Sequence, residues 1–262
     1  MLQNEYYFRN VLYENQQNGR VDLSIVLEID KILNSIDKRS EMTKYLYDLI
    51  EKIDFYKLYN WERTEVEEEK IKHVIKLDGI SIHFFNRNDY YYLVSTLLNS
   101  FFSNLWSEIN LSCVILSFLF KFPKKTKNHP YLHEIKKCLN RNLPTHELTN
   151  LYNGEYSNNP KSWLFSLKDL RHDLHHASLD IQEIIPEPEF NTTFKYESPF
   201  FLNKKYFGIS VPEEKREVNF FCGKVLNRTE WFLSETYRIL ANDLKVRNCV
   251  PLHDLRQPNR IT

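Results

Sequence analysis

The residues best suited to chemistry lie in one short segment, residues 167–181, which reads LKDLRHDLHHASLDI. Within six consecutive positions it carries five ionisable side chains: Arg171, His172, Asp173, His175 and His176. A guanidinium group holds phosphate or carboxylate oxygens, and an imidazole exchanges a proton near neutral pH. The segment therefore has the residue types needed for acid–base chemistry on an anionic substrate.

A helix is predicted to position these side chains. The apolar residues of the segment recur alternately three and four positions apart: Leu167, Leu170, Leu174, Ala177 and Ile181. This spacing places them along one side of a helix and leaves the arginine and the histidines on its polar side. Asn159 and Pro160 are predicted to start the helix, because Asn caps free N–H groups and Pro suits the first helical position.

Composition predicts a mostly α-helical protein. The 262 residues include 42% hydrophobic residues but only 5 glycines, which disfavours tightly turned β architectures. Basic and acidic residues balance at 35 each, so nucleic acid could be bound only through a local patch. The four cysteines have no C-x-x-C spacing, which favours reduced thiols. We expect a cytoplasmic protein without a membrane span, because the N-terminus lacks a signal-peptide pattern and the most apolar run, residues 109–122, is short.

The remaining elements follow from periodicity and from turn residues. A small β-hairpin is predicted at residues 73–85, where Asp78-Gly79 suits a type I′ turn. Residues 143–158 are predicted to be a polar loop, since they contain Pro144 and Gly154. Further helices are predicted over residues 21–55, as one helix or two broken near 37–40, from Asp89 to 122, over 130–142, and from near Pro212 to Leu244.

The sequence from Arg171 to His176 resembles the R-[polar]-x-x-x-H motif of the HEPN (higher eukaryotes and prokaryotes nucleotide-binding) superfamily. The resemblance implies an antiparallel helical bundle over residues 88–262, with residues 1–87 as an accessory segment of N-terminal helices and the β-hairpin. It also implies a metal-independent endoribonuclease without a cofactor, of the toxin or phage-defence kind. The partners that it implies are an RNA substrate, a second copy in a homodimer, and an antitoxin or defence-system protein.

The same resemblance assigns roles to individual residues. His176 would transfer protons at the ribose 2′-hydroxyl and at the leaving oxygen, and Arg171 would hold the phosphate. His172 takes the polar second position, where it would orient the pair or contact RNA. Four further residues are supporting candidates: Asp173, His175, Asn104 and Glu108. Ser178 departs from the branch of the family that has a modified Tyr two residues after the motif His.

A basic segment at residues 121–141 is the candidate RNA-binding surface. The proposed contacts are Lys124, Lys125, Lys136 and Lys137. The alternative is that these lysines form an ordinary solvated surface.

A second match to the motif, from Arg141 to His146, has the Asn that the family often places second. Pro144 would break a helix through this match, so Arg171 and His176 are preferred.

Three alternatives to catalysis by the Arg–His pair stay open. His172 and His176 are four residues apart, as in the zinc-binding H-E-x-x-H pattern, but Asp173 replaces the Glu and no clear third ligand follows. In the second alternative, Arg171 and the histidines pair with Asp169, Asp173 and solvent on a polar helix face. In the third, a HEPN-like fold serves as a non-catalytic dimerisation or binding module.

Overall fold

The structure is a computed structural model that describes residues 3–52, 73–77, 80–84, 87–120, 131–158, 161–176 and 217–246. The described part of the chain is mostly helical, as the composition predicted. Its elements, in chain order, are α1 Gln3–Gln17, α2 Leu23–Glu51, β1 His73–Leu77, β2 Ile80–Phe84, α3 Arg87–Phe120, α4 Leu132–Asn142, α5 Glu147–Glu155, α6 Trp163–His176 and α7 Val218–Val246.

The two strands pair antiparallel, with Ile75 opposite Ile82 at the centre of the ladder. The turn between them, Asp78-Gly79, lies outside the described residues, so the predicted type I′ hairpin stays a prediction. Helix α2 is continuous from Leu23 to Glu51, which decides between the one-helix and two-helix alternatives.

The predicted loop over residues 143–158 is wrong, because α5 occupies most of it. His146 caps this helix, since its Nδ1 accepts a hydrogen bond from the backbone N–H of Leu148 at 3.2 Å. Leu148 and Tyr152 are fully buried, and the Tyr152 ring packs against Phe232 of α7 with centroids 5.0 Å apart. Burial of one side of the segment therefore outweighs the loop-forming character of its other residues.

Two predicted helix starts are also displaced. Helix α6 begins at Trp163 rather than at Asn159-Pro160, and the Ser162 hydroxyl accepts a hydrogen bond from the Phe165 N–H at 3.3 Å. Helix α7 begins at Val218 rather than near Pro212. Its cap is the Glu217 carboxylate, which accepts hydrogen bonds from two free N–H groups of the first turn, at 3.1 and 2.7 Å.

The chain divides into two compact units, each built from described residues on both sides of residue 87. The first unit contains those within Met1–Glu41, Asn104–Ser157 and Leu226–Thr262, and the second those within Met42–Ser103 and Asn158–Val225. The division into domains at residue 87 stays a prediction.

Helix α3 is the most apolar helix and contributes to the core. Its segment Tyr92–Phe120 is long and apolar enough to cross a membrane by length and composition, yet 67% of its most apolar window is buried inside the protein. Among the described residues no other helix passes this test. Such burial is typical of a core helix in a water-soluble protein.

A buried charged network joins α1 to α2 in the first unit. The Arg9 guanidinium, 9% exposed, donates two hydrogen bonds to Glu5 and one to each of Asp30, Asn34 and Asp37. Glu5 is fully buried and its second oxygen accepts no hydrogen bond. One nitrogen of Arg9 binds both Glu5, at 2.6 Å, and Asp37, at 3.0 Å, so two carboxyl groups are held close together.

Burial raises the pKa of Glu5 above its ordinary value of 4.5, Arg9 opposes the shift, and nearby Asp37 adds to it. The Glu5 carboxyl group thus binds its proton more tightly in the folded protein than in the unfolded chain. Above pH 4.5 the stability of the protein therefore falls as the pH rises through the folded-state pKa. Because Glu5→Gln cannot ionise, we expect the free energy of unfolding of wild type, relative to this variant, to decrease with rising pH.

Urea denaturation at several pH values measures this difference. Glu14→Gln, which removes an exposed carboxylate from the same helix, is the control. A difference that stays constant or increases with pH contradicts the prediction.

In the second unit, Gly223 of α7 lets Tyr47 of α2 approach the helix backbone. A Cβ added at Gly223 would lie 2.6 Å from the Tyr47 hydroxyl oxygen and 3.2 Å from the ring carbon that bears it. In contrast, a Cβ added at Gly154 of α5 would meet no atom within 4 Å. Of these two positions, only Gly223 has no room for a Cβ unless the Tyr47 side chain moves.

We therefore expect Gly223→Ala to lower the free energy of unfolding by about 1–3 kcal/mol, because the overpacking outweighs the better helix propensity of alanine. Gly154→Ala, the matched control, should raise it by up to about 1 kcal/mol. Tyr47→Phe should recover part of the loss in a Gly223→Ala background, as measured by chemical denaturation. Equal effects of the two glycine substitutions would rule out the steric explanation.

Candidate functional site

The helix that carries the motif, α6, buries one side and exposes the other. Leu164, Leu167 and Leu170 are buried in the second unit, which confirms the predicted apolar stripe as far as Leu170. The Leu174 side chain, Ala177 and Ile181 lie outside the described residues. The polar side of α6 faces away from this buried stripe.

Arg171 follows the buried Leu167 by four residues, so it lies at the edge of the buried stripe and is half-buried. His172 lies on the polar side and is exposed. Arg171 forms no ion pair with any residue in the described segments. Asp169, one of its expected partners, instead binds Lys161, with Nζ and Oδ2 2.7 Å apart. Asp173 is half-buried and takes part in other interactions. Among the described residues, Arg171 therefore lacks the carboxylate partners named in the second alternative, while the contact with solvent that the same alternative includes stays a prediction.

The backbone of α6 continues through His175 and His176. Arg171 and His176 thus belong to one helix, five residues and about 140° apart around its axis. The side chains of both histidines lie outside the described residues, so their contacts with Arg171 and with His172 stay predictions. Because they are five residues apart, Arg171 and His176 do not lie on the same face of the helix.

The second motif match is divided between two helices, as Pro144 predicted. Arg141 lies in the last turn of α4, whereas His146 caps α5. In addition to the hydrogen bond that its Nδ1 accepts, His146 has its Nε2 3.0 Å from Oδ2 of Asp243 in α7. This Asp243 oxygen accepts no hydrogen bond from the described residues, so the contact is a close approach only. The cap hydrogen bond to Nδ1 favours a structural role for His146.

The two supporting candidates on α3 belong to the first unit, not to the unit of Arg171. The Asn104 side-chain oxygen accepts a hydrogen bond from Arg39 at 3.1 Å. Glu108 is 2% exposed and, with Glu5, raises the pKa of the buried Tyr237 hydroxyl, for which burial is the largest cause. The structure therefore places Glu108 in the interior of the first unit and Asn104, half-buried, at its surface.

The four lysines of the candidate RNA-binding surface have different environments. Lys124 and Lys125 lie outside the described residues. Lys136 donates a hydrogen bond to the Tyr156 carbonyl oxygen at 2.5 Å, and burial lowers its pKa. Lys137 is exposed. Of these two lysines, Lys136 is half-buried and Lys137 is the more exposed.

Sequence analysis did not identify an aromatic contact beside the motif. Lys168 and Lys161 lie over the Phe165 ring, with their Nζ atoms 4.6 and 5.8 Å from its centroid. Phe165 and Lys168 are three residues apart, a spacing that brings two side chains together on a helix, and this spacing could have predicted the contact. This contact places further positive charge on α6, near Arg171 in the sequence.

The described residues contain no group of three or more His, Cys, Asp or Glu side chains that could hold a metal ion. The zinc alternative stays open, because the His176 side chain and the carboxylates that follow it in the sequence lie outside the described part. The three described cysteines, Cys113, Cys138 and Cys222, are free thiols.

Comparisons with protein-family models, with curated proteins and with solved structures found no match to this chain.

Proposed function

We propose that this protein is a metal-independent endoribonuclease of the HEPN type, acting as a toxin or in phage defence. The observation that carries the proposal is the half-buried Arg171, which has no carboxylate partner in the described segments, on a helix that continues through His176. Partial burial strengthens the attraction between a guanidinium and an anion, and its planar fork fits two phosphate oxygens. An arginine without a carboxylate partner among the described residues is thus a candidate to bind a phosphate.

The chemistry needs only the substrate and two side chains. The ribose 2′-hydroxyl oxygen attacks the adjacent phosphorus, and the bond from phosphorus to the 5′ oxygen of the next nucleotide breaks. The products are a 2′,3′-cyclic phosphate and a 5′-hydroxyl. His176 would serve the proton transfers at the attacking and leaving oxygens, and Arg171 would neutralise the charge that develops on the phosphate. His172, exposed one residue after Arg171, would contact the RNA.

We expect the purified protein to cut RNA in excess EDTA and to leave 2′,3′-cyclic phosphate ends. His176→Ala should lower kcat by about 10²- to 10⁴-fold, as for the loss of a general acid or base. Arg171→Ala should lower it by about 10²-fold or more, and Arg171→Lys by less, since lysine keeps the charge but loses the bidentate fork.

The control substitution is Lys38→Ala, at an exposed lysine of α2. Because Arg171 forms no ion pair in the described segments, Arg171→Ala should also change the free energy of unfolding by no more than about 0.5 kcal/mol. Unchanged cleavage in His176→Ala would refute the assignment. Activity that required added zinc would favour the metal alternative, and a folded protein without activity the non-catalytic binding module.

The five-residue separation of Arg171 and His176 leads us to propose that the active form is a two-fold dimer. On one helix these residues point about 140° apart, so a site that needs both is easier to build from two chains. In such a composite site, Arg171 of one protomer would act with the partner's His176.

Mixing two inactive variants tests this arrangement. In a dimer of one Arg171→Ala chain and one His176→Ala chain, one composite site keeps both wild-type residues and the other has neither. Random exchange at equal concentrations should therefore restore about a quarter of the wild-type activity. If each site used residues of a single chain, no activity would return. Light scattering measures the dimer directly, and an active monomer would exclude the composite site.

A further inference from the structure

Helix α4 presents a row of basic residues to solvent. His133, Lys137 and Arg141 follow one another at intervals of four residues, and all three are exposed. This spacing aligns them on one side of the helix. The buried residues Leu132, Ile135 and Leu139 form the opposite side. We call the exposed row, His133, Lys137 and Arg141, the α4 basic face.

Within the described residues, the positive charges of this face are not neutralised by neighbours. Neither Lys137 nor Arg141 forms an ion pair with another residue in the described parts of the chain. The carboxylate of Glu134, the one acidic residue of α4, accepts a hydrogen bond from the Tyr131 N–H at the start of the helix, at 3.0 Å. Lys136, the sequence neighbour of Lys137, is engaged by the Tyr156 carbonyl.

An aromatic pair lies at the N-terminal end of the same face. The Tyr131 side chain, 50% exposed, stacks on the His133 ring with centroids 6.1 Å apart and planes 10° apart. Exposed flat rings provide a surface on which an unpaired base can stack, and such stacking tolerates any base. A row of unpaired cations beside an exposed aromatic ring is the combination that single-stranded nucleic acid requires.

We propose that the α4 basic face binds single-stranded RNA, with Lys137 and Arg141 on its phosphates and the Tyr131–His133 pair against a base. The inference rests on the proposed function, which makes RNA the substrate. A duplex would supply phosphates to Lys137 and Arg141 but would offer no unstacked base to Tyr131. An acidic peptide would likewise satisfy the charges alone. The aromatic pair therefore favours a single strand.

The test measures binding and cleavage separately, with the full chain. Binding is measured by fluorescence anisotropy with a short unstructured RNA, using the His176→Ala variant so that the RNA is not cut. In this background, Lys137→Glu with Arg141→Glu should weaken binding at least tenfold. Loss of two phosphate contacts should also reduce the salt dependence of log K by about 1.4 in slope. Tyr131→Ala should weaken binding without changing that slope.

Two controls separate the face from general charge. Lys38→Glu with Lys224→Glu changes the net charge equally at two exposed lysines elsewhere, and should keep most of the affinity. Lys136→Gln should leave the salt slope unchanged, since its ammonium group is held by Tyr156. Equal losses in the two double variants would overturn the proposal, as would tighter binding of duplex RNA or of polyglutamate than of the single strand.

Separate measurements of RNA binding and RNA cleavage distinguish a failure of the α4 basic face from a failure of the proposed ribonuclease activity. Binding that depends on the α4 basic face, in a wild-type protein that does not cleave RNA, would support the face and overturn the ribonuclease. Cleavage that depends on His176 but has the same KM after Lys137→Glu with Arg141→Glu would overturn the face and leave the ribonuclease standing.

Discussion

The requirement that a charge removed from water be neutralised by a neighbour determines much of this structure. Arg9 shows it most clearly, because its guanidinium lies inside the first unit, bound by three carboxylates and one amide from α1 and α2. The carboxylates outnumber the cation, so Glu5 is held in a site that disfavours its ionised form. The network therefore joins α1 to α2, and its contribution to the free energy of unfolding depends on pH.

More exposed ion pairs join α5 to α7, since the side chains of Arg228 and Arg238 are 41% and 35% exposed. Arg238 binds Glu147 at the first residue of α5, and Arg228 binds Glu155 at its last residue through two hydrogen bonds, of 3.1 and 2.6 Å. Partners ten residues apart on α7 thus match partners eight residues apart on α5, which requires the two helices to run antiparallel. The Arg228 guanidinium also lies 4.0 Å from the centre of the Trp231 ring.

These contacts explain which elements could be predicted from the sequence. Helices α2 and α3 have long apolar periodicity, which is a local signal, and both were predicted. Helix α5 is nine residues long, contains Gly154, and is stabilised by contacts with α7, among them Phe232 and two arginines 73 and 91 residues from their partners, so its sequence resembles a loop. Short helices stabilised by distant partners lie beyond what periodicity can indicate.

The candidate site was predictable to a similar extent. The buried stripe of α6 follows from local spacing, but the half-burial of Arg171 and the partner of each charge do not. Lys136 and Lys137 are neighbours in sequence, yet one is engaged by a carbonyl and the other is exposed. Because neutralised cations belong to the fold, those without partners are the ones left for a ligand. Among the described residues, this criterion selects Arg171 in the second unit and the α4 basic face in the first. Because the two lie on different helices, the proposed roles in phosphate chemistry and in RNA binding can be altered by separate substitutions.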